Sequence, residues 1–141
     1  MAIELTDDMM EQVNSALENR VPCLLTTASA KGEPDVAIRG SMMIYDRDHL
    51  AYWERSRNES LANLEENPHV CVFFRNPETR AQWRFYGTAQ IFKQGEDRRD
   101  QIMGRVVERE LNADPERLGY GVLITVNRVR QGNNVLMERE D

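Results

Sequence analysis

Of the chain's 18 basic residues all but Lys31 and Lys93 are arginine, and the planar guanidinium fork is the side chain best matched to phosphate or carboxylate oxygens. Arg39 and Ser41 stand two residues apart, which puts them on one side of an extended strand. Arg55 and Arg57 directly precede Asn58-Glu59-Ser60, where a short helix begins. Unpaired backbone amides and the positive end of the helix dipole make such a place an anion site. Strand closure would bring Arg39 and Ser41 toward the same point, a phosphate pocket in outline. The same arginines could instead pair with Asp46, Asp48, Glu54 and Glu59 at the surface. A second candidate surface is the polar face Gln82, Arg84, Tyr86, which could hydrogen-bond the edge of a planar heterocycle. It reads equally as an ordinary solvent-facing strand.

Other chemistries find little support. Cys23 and Cys71 lie singly inside apolar runs and read as buried, inert thiols. His49 and His69 stand near no cysteine and not near each other, so no metal-ligand spacing is present. The chain contains no Gly-x-Ser-x-Gly, P-loop or Gly-x-Gly-x-x-Gly sequence. Catalytic residues are not assigned by any motif. The aromatic residues Trp53, Trp83, Phe73, Phe74 and Phe85 read as core.

The elements that must position these groups follow from periodicity. Thr6 to Asn19 predicts a capped helix with Met9, Met10, Val13, Ala16 and Leu17 on one face. Pro22 to Ser29 predicts a strand, and Ala30-Lys31-Gly32-Glu33 a hairpin loop. The next strand is expected to run to about Ile44, with Val36, Ile38, Gly40, Met42 and Ile44 on one face and Ala37, Arg39, Ser41 and Met43 on the other. A turn at Tyr45 to His49, a strand Leu50 to Glu54 and a short helix capped at Ser56 or Asn58 and stopped by Asn67-Pro68 come next. Strands are expected at Val70 to Phe74 and Ala81 to Phe92, the latter with Trp83, Phe85, Gly87, Ala89 and Ile91 opposite Gln82, Arg84, Tyr86, Thr88 and Gln90. Glu96 to Leu111 predicts one amphipathic helix running through Gly104, and Gly121 to Arg128 a last clear strand, with a weak strand or a frayed tail after Gln131. Strands joined by hairpins, without a strand-helix-strand rhythm, predict a mixed α+β class dominated by β: an antiparallel barrel or sheet with peripheral helices.

Composition sets the outer bounds. The 141 residues suit a single domain with its own core, 1–141. No apolar run approaches a membrane span, and the acidic start at Glu4, Asp7 and Asp8 lacks the features of a secretory signal, so the cytoplasm is the expected location. The net charge of −6 argues against a nucleic-acid partner. Between Arg39 and Arg84 acids and arginines balance, so the excess of acid lies in the flanks and an anion site belongs in the middle.

The order of motifs carries a resemblance. Leu24-Leu25-Thr26-Thr27-Ala28-Ser29, Gly32-Glu33-Pro34, Tyr52-Trp53, Leu61-Ala62-Asn63-Leu64-Glu65-Glu66-Asn67-Pro68, Val70-Cys71-Val72-Phe73-Phe74 and Gln82-Trp83-Arg84-Phe85-Tyr86-Gly87-Thr88-Ala89 together resemble the pyridoxamine 5′-phosphate oxidase-like family of FMN-binding split β-barrel proteins. The resemblance implies an antiparallel split barrel and a homodimer holding flavin mononucleotide (FMN) at its interface. It also implies an oxidoreductase acting on a small-molecule substrate or electron donor. Position by position it implies cofactor-binding roles for Arg39 and Ser41, for Trp53 and Glu54 in place of an aromatic-Thr pair, and for Gln82. The oxidases have Ser-Arg-Lys where this chain has Asn58-Glu59-Ser60, which leaves Arg55 and Arg57 to take the phosphate. That departure, and the lack of a counterpart to the oxidases' C-terminal Trp and Arg, argue against vitamin-B6 oxidation itself. The alternative is a binding or sensing module for flavin, deazaflavin or haem, the last relying on His49 or His69.

Overall fold

Thr6 begins the structure as its spacing predicts: its hydroxyl accepts a hydrogen bond from the Met9 amide at 3.1 Å and starts helix α1, Asp7–Asn14. The helix is shorter than its apolar pattern, because residues 15–20 turn, with Arg20 at a positive φ of 62°. This architecture comes from a computed structural model that describes residues 2–56 and 59–140. The strands are β1 (Cys23–Ala28), β2 (Pro34–Arg39), β3 (Met43–Asp46), β4 (His49–Glu54), β5 (His69–Asn76), β6 (Ala81–Phe92), β7 (Tyr120–Gln131) and β8 (Asn134–Glu138). Helix α2 (Glu59–Glu66) lies between β4 and β5, and α3 (Asp97–Met103) and α4 (Glu108–Asn112) between β6 and β7.

All pairings are antiparallel, in the order β2-β1-β5-β6-β7-β4-β3, with β8 beside the second half of β7. The end strands β2 and β3 are not partners, so the barrel is split. The α+β class, mainly β with peripheral helices, is the one expected. No described helix is long and apolar enough to cross a membrane.

Two expected elements divide. The strand expected to run to Ile44 breaks at residues 40–42 into β2 and β3, which lie at opposite ends of the sheet. Val36 and Ile38 therefore face outward, 60% and 64% exposed, while Met42 and Ile44 enter the core. A Cβ on Gly40 would meet Glu110 Oε2 at 2.9 Å and Leu17 Cδ1 at 3.2 Å, so the break sits where other elements crowd the chain. The helix expected to run through Gly104 stops there, and α4 starts afresh at Glu108.

Alternation gives the sheet two distinct faces. The inner face, with Leu25, Val72, Phe74, Trp83, Phe85 and Ile124, forms the main core, closed by Met9 and Val13 of α1. On the outer face, Ala51, Trp53 and Leu123 are covered by Ile102 and Val106. The outer face from β2 to β8 is less covered. One cross-strand row there runs Ile38, Leu24, Phe73, Arg84, Arg130, Val135, and the next Val36, Thr26, Cys71, Tyr86, Arg128, Glu138.

Candidate functional site

The sequence-predicted anion site can be traced at the β4–α2 junction. Arg39, Glu54, Arg55 and Ser56 border a cleft of about 80 Å³ together with Gly40, Trp53 and Glu110. Arg39 ends β2, and its Nη2 donates to Glu54 Oε1 at 3.0 Å. Both side chains are largely out of water, 11% and 1% exposed. Burial pushes the Glu54 carboxyl above its ordinary value, and the neighbouring guanidinium offsets that only in part. Arg55 Nε approaches Glu110 Oε1 at 3.8 Å. Ser41 serves the backbone: its hydroxyl accepts from Trp53 N at 2.9 Å and donates to Trp53 O at 3.2 Å. Arg57 lies outside the described residues.

Trp53 is built into the second core. Its indole Nε1 donates to Asp114 Oδ2 at 2.9 Å, and the Arg99 guanidinium lies 4.9 Å from its ring centroid. Arg99 in turn donates from Nε to Gly119 O at 3.1 Å and from Nη2 to Arg117 O. Burial pushes the Asp114 carboxyl up, but the amides of Leu118 and Gly119 and the Trp53 indole outweigh it and hold the group below its ordinary value.

The cleft brings together two guanidiniums and two carboxylates from the described residues, so those side chains offer no net positive charge to a phosphate dianion. Its volume also falls well short of the roughly 300 Å³ at which small-molecule pockets begin. Of the buried side-chain donors described in the cleft, the Nε of Arg39 has no hydrogen-bond partner. The described side chains of the cleft by themselves therefore give a phosphate no excess of positive charge, and Arg57 and residue 58, just before the start of α2, lie outside the described residues. Glu110 was not legible as a member of the cleft, because only the packing of α4 brings it there.

Gln82 is not in this cleft. It is the second residue of β6, opposite Arg75 and three strands from β2, on the outer face with Arg84 and Tyr86 as the alternation predicts. Cys23 is a core thiol pushed up to about 12 by burial. Cys71 corrects the expectation of two buried thiols: it is only partly buried, on the outer face opposite Tyr86.

His69 is exposed at the start of β5, opposite Thr88 on the same outer face. His49 is tied into the β3–β4 turn, its Nδ1 at 2.8 Å from both Asp46 Oδ1 and Asp48 Oδ1. Those three side chains are the group among the described residues that could hold a cation. The turn itself accounts for them, since Asp46 also accepts the Asp48 amide at 3.0 Å and Asp48 meets Arg139 at 3.4 Å.

The chain is matched over residues 9–131 by the profile of a family described as pyridoxamine 5′-phosphate oxidase. No curated protein matches it. Among solved structures it is similar to a Lactobacillus delbrueckii protein named as a candidate pyridoxamine 5′-phosphate oxidase, at 24% identity and TM-score 0.71, over 92% of this chain and 96% of that one. It is similar to HutZ, the haem storage protein of Vibrio cholerae, at 15% identity and TM-score 0.68, over 92% and 94%. An FMN-binding protein of Syntrophomonas wolfei aligns at 14% identity and TM-score 0.65, over 94% and 89%. At these identities the likeness is one of fold.

Proposed function

The chain belongs to the pyridoxamine 5′-phosphate oxidase family, and from that premise we propose that it binds a flavin, FMN, on the outer face of the sheet between two copies of itself. There it would act in the cytoplasm as an oxidoreductase toward a small-molecule substrate or electron donor. The observation that carries this reading is the outer face itself, where Leu24, Phe73, Cys71 and Gln82 form a half-buried surface continuous with the exposed Val36 and Ile38. Such a surface suits a flat ring, with Gln82 as the polar group that would fix its edge. When bound, the flavin supplies the hydride chemistry. The chain's own part is to orient the ring and keep water from it.

The test is an absorbance spectrum of the purified protein before and after incubation with excess FMN and removal of the free dye. A retained flavin band at about one per chain supports the reading, and Gln82→Ala should weaken retention by several-fold, about the worth of one hydrogen bond. A protein that retains no flavin, with deazaflavin tried in the same way, overturns it.

A second reading, haem binding without turnover, is favoured by His69, the imidazole exposed on that same face. A haem-type absorption band lost in His69→Ala would support it, and a band unchanged in that variant would exclude His69 as ligand. His49 is held by two carboxylates and is the weaker choice.

A further inference from the structure

Arginines that make no ion pair among the described residues are concentrated on the outer face. Arg84 and Arg130 are direct register partners on β6 and β7, and Arg128 faces Tyr86 in the adjoining pair. Like charges placed opposite each other across two strands destabilise a sheet, and this chain has 24 acids from which partners could be drawn. Even so, among the described residues none of these three arginines makes an ion pair. Glu138 is the register partner of Arg128 on β8, yet among the described residues it too forms no ion pair.

The guanidiniums are held in place by rings instead. Arg84 lies 4.7 Å from the Phe73 centroid, and Arg128 and Arg130 lie 4.2 and 5.3 Å from that of Tyr86. Stacking of this kind fixes a guanidinium without using up its N–H groups. Arg130 Nε is buried with no hydrogen-bond partner. The thiol of Cys71, raised by burial, is pulled back by all three arginines, so their charges converge on one place.

We propose that Arg84, Arg128 and Arg130 form an oxyanion-binding site on the outer face of the sheet, which takes the phosphate or paired carboxylates of a small planar ligand. In naming where the anionic end of the cofactor lies, it rests on the reading of this face as the cofactor surface. The site itself follows from three ring-held arginines that make no ion pair among the described residues. In the cleft at the β4–α2 junction, by contrast, Arg39 lies against Glu54 and Arg55 near Glu110.

Isothermal titration with inorganic pyrophosphate tests the site apart from any cofactor. Wild type should bind it, and Arg84→Gln/Arg130→Gln should lose about tenfold or more in affinity, the range for hydrogen bonds to charged groups. Arg39→Gln should leave it unchanged. If the double variant does not fold, Arg128→Gln, which leaves the other two arginines in place, carries the test. No pyrophosphate binding by wild type, or equal binding by wild type and variant, overturns the proposal.

The source of the oxyanion is separated by two pairs of probes. A preference for FMN over riboflavin that vanishes in the variant identifies a phosphate, and a preference for haem over haem dimethyl ester identifies carboxylates. Arginine-dependent pyrophosphate binding without flavin retention would sustain the site and overturn the flavin reading. Flavin retained equally as FMN and riboflavin, and indifferent to the arginines, would do the reverse. A double variant that loses self-association in sedimentation while pyrophosphate affinity stays the same assigns the charge to a subunit contact and overturns the proposal.

Discussion

Glu54 and Asp114 are both buried carboxylates, and their titrations run in opposite directions because their partners differ. Burial raises Glu54 above its ordinary 4.5, and the guanidinium of Arg39 with the amide and hydroxyl of Ser56 offset this only in part. A raised folded value means that the ionised form is the costly one, so its contribution falls as pH rises from 4.5 through the folded value. Wild type should therefore lose stability relative to Glu54→Gln over that interval in urea melts at stepped pH. A gap between the two that stays constant from about pH 4 to about pH 8 would contradict the assignment. Asp114 accepts hydrogen bonds from two backbone amides and an indole and is lowered below 3.8. Its contribution is complete above 3.8 and is lost as pH falls through the lowered value. Asp114→Asn should lose about 1–3 kcal/mol at neutral pH and show a flatter acid limb. Unaltered stability at neutral pH would mean that the Trp53 indole and the Gly119 amide do not depend on the charge.

At the scale of elements, β6 and β7 place the arginines, and their register is set by a bulge. Pairing shifts between Tyr86 and Gly87, so that Tyr86 faces Arg128 while Gly87 faces Val126. A Cβ on Gly87 would sit 2.3 Å from Thr125 O, a backbone atom that cannot swing aside. Gly87→Ala should destabilise by about 1–3 kcal/mol, the usual cost of overpacking. It should also weaken pyrophosphate binding by displacing Arg128; a variant with wild-type urea midpoint would show that the bulge can relax. The strict alternation from Ala81 to Phe92 made β6 and its two faces legible from sequence, and Thr6 made the start of α1 legible. The division of β2 from β3 was not, because the alternation continues unbroken through Gly40 and the break is imposed by packing against Leu17 and Glu110. The candidate site was legible in the same uneven way. Arg39 and Glu54 are visible as residue types, but their mutual engagement arises from strand ends brought together by the sheet. Arg128 and Arg130 gain meaning only from their register with Tyr86 and Arg84.

The whole molecule buries one face of its sheet fully and the other in part. Helices α3 and α4 with their connection supply the cover over β4 and the first half of β7, while the outer surface toward β2 exposes Val36, Ile38 and, on β8, Val135. Isolated exposed apolar residues need no explanation, but Ile38 and Val135 lie at opposite ends of a single cross-strand row. β2 is also an end strand, paired with β1 on one side and with no described strand on the other, and an apolar end strand left open invites association. A second copy docking on this face would remove both liabilities and enclose the ring-binding surface. Val36→Glu/Ile38→Glu places two carboxylates at the most exposed apolar positions and adds no steric demand on the core. Light scattering after size exclusion should then show wild type at twice the chain mass and the variant at the chain mass, with an unaltered circular dichroism spectrum. The variant should also release flavin more readily, because one wall of the enclosure is gone. A wild-type protein that runs at the chain mass yet still retains flavin would place the cofactor on a single copy and remove the second subunit from the site.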